Sequence, residues 1–215
     1  MALVISKKYK YIFFHLPKNA GVSVSNALIN KEYSLILKKF STSILNKFTS
    51  NKNNYYFSLK NKEFFFFNSH ITCFQFYEKF NKKDFDNFYK FAVIRNPWDR
   101  MVSRFFYSKK ISNKFKNFTL EEFIDFDLRF NSHVLHQFEF CTKDKKNFCL
   151  DKLIRFENIN KDFKNISEKI FKDGNDLKHM NMSGHRNYRE YYNDILKDKI
   201  YKNFKKDIEF FKYEF

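Results

Sequence analysis

"YIFFHLPKNAG", residues Tyr11 to Gly21, is the stretch whose reading decides the fold of this chain. The apolar run Tyr11 to Leu16 has the length and composition of a buried strand, and the serine-bearing segment from Val22 to Ile29 reads as a helix. Pro17 and Gly21 bracket the crossing between them. Only two prolines and three glycines occur in 215 residues, so this turn takes one of each. The other proline, Pro97, stands in "FAVIRNPWDRMVSRFFY", where an apolar strand again runs into a helix rich in hydroxyl and guanidinium groups. Both strand-to-helix turns read as phosphate cradles.

In the first turn, Lys18, Asn19, Ala20, Gly21, Val22 and Ser23 follow Pro17. A strand feeding a tight turn and then a helix presents free backbone N–H groups and the positive end of the helix dipole, so an anion is the natural occupant. Gly21 lets the backbone come close, Lys18 adds a point charge, and Ser23 and Ser25 can donate hydroxyl hydrogen bonds. The lysine precedes the glycine and no Gly-Lys-Ser/Thr follows, which disfavours a magnesium-bound nucleoside triphosphate. The alternative is an ordinary tight turn with an exposed lysine.

In the second turn, Asn96 is a good N-cap, Pro97 takes the first helical position and Asp99 falls three residues after the cap. Trp98, Met101, Val102, Phe105 and Phe106 form an apolar stripe at helical spacing, which assigns them to the core. The opposite face carries Arg100, Ser103, Arg104 and Tyr107, with Arg95 at the strand's end. A guanidinium fork and a serine farther along the helix can grip a phosphate from two sides. The alternatives are a salt bridge for Arg95 and a solvated helix position for Ser103.

Four short apolar segments, Tyr11 to Leu16, Phe64 to Asn68, Phe91 to Arg95 and Lys152 to Phe156, alternate with helical patterns, and the N-terminus also enters a strand almost at once. That order predicts an α/β fold, one domain over residues 1–215, with a mainly parallel sheet flanked by helices. Ligands of such sheets bind at the carboxyl ends of the strands, where Lys18, His70 and Arg95 all fall. Phe40 to Lys62 is polar and irregular and reads as a loop or excursion near the acceptor. "TLEEFIDFDLRFNSHVLHQFEFC" reads as a helix with Thr119 and Glu122 as a capping box, and "NYREYYNDILKDKIYKNFKKDIEFFKYEF" as one closing amphipathic helix.

The formal charge of +17 implies attraction to polyanions, although scattered lysines also suit a merely solvated surface. Cys73, Cys141 and Cys149 are odd in number and lack CxxC spacing, so no disulfide framework or zinc site is indicated and a reducing compartment fits. No apolar run approaches the ~20 residues that span a bilayer, so a cytoplasmic location is expected.

Taken together, "HLPKNAG" with Ser23 resembles the 5′-phosphosulfate loop, and "VIRNPWDRMVSRFFY" the 3′-phosphate motif, of the Golgi-type carbohydrate sulfotransferases and their bacterial relatives. The resemblance continues in "LIRFENINKDFKNI", "HMNMSGHRNYREYY" and "DIEFFKYEF". It implies a P-loop-NTPase-like sulfotransferase fold and 3′-phosphoadenosine 5′-phosphosulfate (PAPS) as sulfuryl donor. Pro17, Lys18, Asn19, Ala20, Gly21, Val22 and Ser23 would form the 5′ loop, and Arg95 and Ser103 would anchor the 3′-phosphate. Val22 stands where relatives often carry a hydroxyl, so Ser23 or Ser25 must supply that contact. Ser183 and Arg186, beside Gly184, can close over the phosphates or belong to a mobile surface loop.

His70, in "FFFFNSHITCF", is the chosen general base. A lone histidine after a strand is more often structural, but the uronyl 2-O-sulfotransferase branch, which this stretch resembles, uses one there. Glu32 and Glu63 are the alternatives. His133 and His136 have a spacing that permits metal ligation, but no third ligand is evident, and no metal is expected. The resulting expectation is in-line sulfuryl transfer from PAPS to a hydroxyl acceptor, a carbohydrate foremost. A nucleic-acid-binding module and a P-loop kinase are the rivals; dispersed lysines count against the first, and the absent Walker motif against the second.

Overall fold

The computed structural model describes residues 3–33, 57–59, 64–67, 70–79, 82–130, 136–144, 146–174, 177 and 184–215. Six strands, β1 (Leu3–Ser6), β2 (Tyr11–Phe14), β3 (Phe57–Leu59), β4 (Phe64–Phe67), β5 (Tyr89–Ile94) and β6 (Lys152–Arg155), form one sheet in the order β3-β4-β1-β2-β5-β6. β2 pairs with β5, and β5 with β6, in parallel. β1 pairs antiparallel with both β2 and β4, and β3 antiparallel with β4. Two reversals therefore return β4 to the direction of β2, so β2, β4, β5 and β6 all end at one edge. Four of the six strands run in one direction, as the mainly parallel sheet expected from the sequence requires, and β1 and β3 oppose them, so that the sheet is mixed. β3 lies inside the polar segment Phe40 to Lys62, where the sequence predicts an irregular loop or excursion; the rest of that segment lies outside the described residues.

Alternation along β2 divides the core. Tyr11 and Phe13 pack with Val24 and Leu28 of α1 (Gly21–Tyr33) and with Phe163 and Ile166 of a later helix, Ile159–Phe171. Ile12 and Phe14 face the other way, toward Phe76 of α2 (Cys73–Lys79) and Phe85 of α3 (Lys82–Asn87). Helices thus cover both faces of the strand, which explains why Tyr11–Phe14 is apolar throughout where a one-sided strand would alternate with polar residues. Each such buried phenylalanine contributes about 1.5–3 kcal/mol of transfer free energy.

The second turn feeds α4 (Pro97–Ile111). Its apolar stripe of Trp98, Met101, Val102 and Phe105 packs as expected against α5 (Leu120–Phe130) and the C-terminal helices. α5 opens on the expected capping box, with Thr119 N–H donating to Glu122 Oε2 at 2.7 Å and Glu122 N–H to Thr119 Oγ1 at 3.2 Å. The helix expected to run on from there is shorter: after residues outside the description, α6 (Gln137–Phe140) is a single turn. β6 leads through a 3-10 turn to α7, the Ile159–Phe171 helix.

The closing segment is not one helix. A 3-10 turn at Tyr188–Tyr191 precedes α8 (Asp194–Asn203), and α9 (Lys205–Phe211) follows after a break at Phe204. Two local preferences set these breaks. Asn193 caps α8 by accepting from Leu196 N–H at 2.8 Å, and Phe204 leaves the helical region (φ −113°, ψ 22°) to bury its ring. Turning there carries Asp207 back to the start of α6, where its carboxylate accepts from the N–H groups of Gln137 and Phe138 at 2.7 and 2.8 Å.

Asn96 joins three parts of this arrangement. Its Oδ1 accepts from Trp98 N–H at 3.0 Å, its Nδ2 donates to Glu214 O at 2.7 Å, and its own N–H donates to Glu157 Oε1 at 2.8 Å. Loss of an N-cap costs about 0.5–2 kcal/mol, and Asn96→Ala also loses the tie to the C-terminus. Urea unfolding is expected to show a loss at the upper end of that range with an unchanged m-value.

Candidate anion and transfer site

Lys18 and Ala20 occupy the left-handed region (φ 65° and 56°), a conformation that costs a non-glycine residue free energy unless its surroundings hold it. The first turn is held from behind. Asn19 is fully buried, and its Nδ2 donates to Val93 O and to Gln137 Oε1, both at 2.7 Å. Arg100 Nε donates to Pro17 O at 3.0 Å, and Arg95 Nη1 to Lys18 O at 3.2 Å. With these carbonyls turned inward, the first intrahelical donor is Ser23 N–H, to Ala20 O at 3.0 Å. The N–H groups of Gly21 and Val22 stand ahead of it at the positive end of α1. Val22, whose side chain is exposed, meets no steric demand for a hydroxyl, whereas Ser23 and Ser25 are both buried.

Gly21 proves necessary for a second reason. A Cβ there would lie 1.9 Å from Cδ2 of His15, whose buried ring stacks against Phe13 and stands edge-on to His70 at 5.0 Å between centroids. The close approach required of this glycine is to a side chain of its own strand end.

His70 follows β4 at the same sheet edge, where its Nδ1 lies 2.8 Å from His15 O. A carbonyl only accepts, so Nδ1 carries the hydrogen, and in the neutral ring Nε2 carries the lone pair. Burial holds the His70 pKa below the ordinary 6.5, with Arg100 and Arg104 adding to the depression and the bond to His15 opposing it. The ring is therefore neutral at pH 7. Glu32 sits at the far end of α1 from the turn, about 16 Å along the helix axis, and Glu63 lies outside the described residues.

Positive charge converges on the turn. Lys18 Nζ sits 3.5 Å from the centroid of the Tyr107 ring. Burial, then the charges of Arg95 and Arg104, bring its pKa down to about 8. Arg100 is buried and is likewise brought down to about 9, first by burial and then by Arg104. Arg104 is fixed by a bidentate pair with buried Asp127 at 2.6 and 2.7 Å. Mutual repulsion among these cations is relieved by an anion placed between them, so the residues fit a phosphate or sulfate group.

At the second turn, Arg95 does make the salt bridge that stood as its alternative, Nε to Asp99 Oδ2 at 2.7 Å, while its guanidinium plane lies 3.9 Å over the Phe156 ring. Ser103 is buried where solvation was the alternative. The late loop reaches this point through a residue the sequence reading passed over. His185 Nε2 lies 3.5 Å from Arg95 Nη2 and 3.7 Å from Asp99 Oδ1, and its ring stacks on Phe106. Arg186 points outward and pairs with Glu190 at 4.0 Å, and Ser183 lies outside the described residues. His136 packs against Phe204, His133 lies outside the described residues, and among those described no group of three or more His, Cys, Asp or Glu is placed to hold a metal ion.

The carboxyl edge of a mixed sheet thus gathers two strand-to-helix turns, converging cations and a histidine into one candidate site for an anionic group. The chain belongs to the sulfotransferase family, whose pattern matches residues 1–214, and is a sulfotransferase. It is also similar to an uncharacterised protein of Archaeoglobus fulgidus, 30% identical over 91 residues that make up 41% of this chain and 72% of the other. No solved structure matches it significantly. Among the described residues, no helix is long and apolar enough to cross a membrane.

With its pKa near 8, Lys18 is largely neutral at pH 9 in the free protein, and an anion beside it restores the charge. Binding of inorganic sulfate at pH 9 is therefore expected to take up protons, seen by calorimetry as an enthalpy that depends on buffer ionisation. The uptake should be reduced in Lys18→Met, leaving only the share that Arg100, with its pKa near 9, contributes, and small at pH 6.5, where both groups are already charged.

Proposed function

We propose that the protein transfers the sulfuryl group of PAPS to a hydroxyl of a carbohydrate. The observation that carries this reading is the shared edge: His15 links His70, through its carbonyl, to the first turn, through the ring packed on Gly21, and Lys18 links that turn to Arg95. When bound, the donor supplies the sulfuryl group and a phosphate leaving group.

Pro17 to Ser23 surround the 5′ side. The N–H groups of Gly21 and Val22 and the Lys18 ammonium face charge that grows as the sulfur–oxygen bond breaks, an interaction stronger in the transition state than in the ground state. Arg95 and Ser103 hold the 3′-phosphate, with the planar guanidinium of Arg95 oriented by Asp99 and Phe156. Ser183 and Arg186 would serve as closing contacts of the late loop. His70 receives the acceptor's proton at Nε2 as its oxygen attacks sulfur, with Nδ1–H held by His15 O throughout. The strongly basic chain favours an anionic glycan.

His70→Ala is expected to lower turnover about a hundredfold to ten-thousandfold with donor affinity and melting temperature nearly unchanged, measured with PAPS and a panel of glycans. In the wild type, turnover should rise with pH to a plateau through a midpoint below 6.5, because the ring must be neutral to accept a proton. A variant that keeps wild-type turnover removes His70 from the reaction. One that melts early and binds donor poorly makes it structural.

A further inference from the structure

The three cysteines, Cys73 from one segment and Cys141 and Cys149 from a later one, meet in one cluster. Cys73 opens α2 and is fully buried, Cys141 ends α6 and is fully buried, and Cys149 is partly exposed; all three belong to one apolar cluster. Residues 141–149 form a small hairpin, with Thr142 bridged to Phe148 and Cys149 N–H donating to Cys141 O at 3.2 Å. The Cys149 thiol donates to that same carbonyl, also at 3.2 Å. In the same cluster lies the thiol of Cys73, close enough for Cys149 to act on it. Cys73 and Cys149 are thus neighbours in one cluster, while Cys141 engages Cys149 through its backbone oxygen. The described residues show no metal cluster here.

We propose that Cys73 and Cys149 form a redox-sensitive dithiol, oxidised to an intramolecular disulfide by low-molecular-weight disulfides such as oxidised glutathione. Cys149, the exposed member, is the entry point. Its thiol gives up a proton, and the thiolate attacks one sulfur of the small disulfide, which releases one small thiolate and leaves a mixed disulfide on Cys149. Cys73 then gives up its proton, and its sulfur attacks Sγ of Cys149, expelling the second small thiolate. Two electrons pass from the protein to the oxidant, and the two protons pass to the two small thiolates. Burial raises the Cys73 thiol well above its ordinary value, so the resolving step waits for a neighbouring mixed disulfide and Cys73 does not react with oxidant directly. Because Cys73 lies three residues after His70, the cross-link ties the segment bearing that histidine to the 141–149 hairpin.

The full chain, incubated with oxidised glutathione, blocked with iodoacetamide and digested without reduction, is expected to yield a peptide pair linked through residues 73 and 149. Cys141 should be recovered alkylated, and dithiothreitol should restore three alkylated cysteines. Cys141→Ser should form the same link, and Cys73→Ala should stop at a glutathione adduct on Cys149. A link between residues 141 and 149, a persistent wild-type glutathione adduct, or three unmodified thiols would each overturn the proposal. The wild-type map decides even if either variant fails to fold.

Discussion

The buried side chain of Gln137 holds the two strand-to-helix turns in one frame. Its Oε1 accepts from Asn19 Nδ2 at 2.7 Å and from Arg95 N–H at 3.0 Å, and its Nε2 donates to Arg95 O at 2.8 Å. One amide therefore satisfies polar groups of both turns at the end of β5, where an unpaired donor or acceptor would cost about 1–3 kcal/mol. Gln137 is itself placed by Asp207, which returns from α9 to accept from its backbone N–H. The C-terminal helices thus help to position both turns.

That frame allows positive charges to be held close together. Lys18, Arg95, Arg100 and Arg104 repel one another, and each is fixed by a specific tether: Tyr107 for Lys18, Asp99 for Arg95, the Pro17 carbonyl for Arg100 and Asp127 for Arg104. Burial first, and the repulsion second, lower the pKa values of Lys18 and Arg100. A site prepared in this way stabilises an incoming or developing negative charge with little reorganisation, which is how fixed dipoles and cations lower a transfer barrier.

The parts of this design set by neighbours in sequence were legible beforehand. Pro17, Gly21, Asn96 and Pro97 announced the two turns, the stripe from Trp98 to Phe105 announced the face of α4, and Thr119 with Glu122 marked the start of α5. Strand order was less accessible: β4 runs with β2 only because β1 intervenes antiparallel, and β3 hides in a polar segment. The break at Phe204 depends on burial of one ring, and the hub at Gln137 on partners from three distant segments, so neither leaves a local signal. At Gly21 the sequence predicts a close backbone approach to an anion; the approach that the structure shows there, by the ring of His15, could only be seen in three dimensions. His185 likewise stood next to the arginine that the loop motif singled out, and it is the histidine that turns inward.

A crystal structure of the protein with 3′-phosphoadenosine 5′-phosphate, the desulfated donor, tests the central claim most directly. The account predicts the 5′-phosphate over the N–H groups of Gly21 and Val22 within reach of Lys18 Nζ, the 3′-phosphate against Arg95 and Ser103, and His70 Nε2 facing the open side of the 5′-phosphate. A nucleotide with its two phosphates on any other surface, or with only one of the turns engaged, would contradict it.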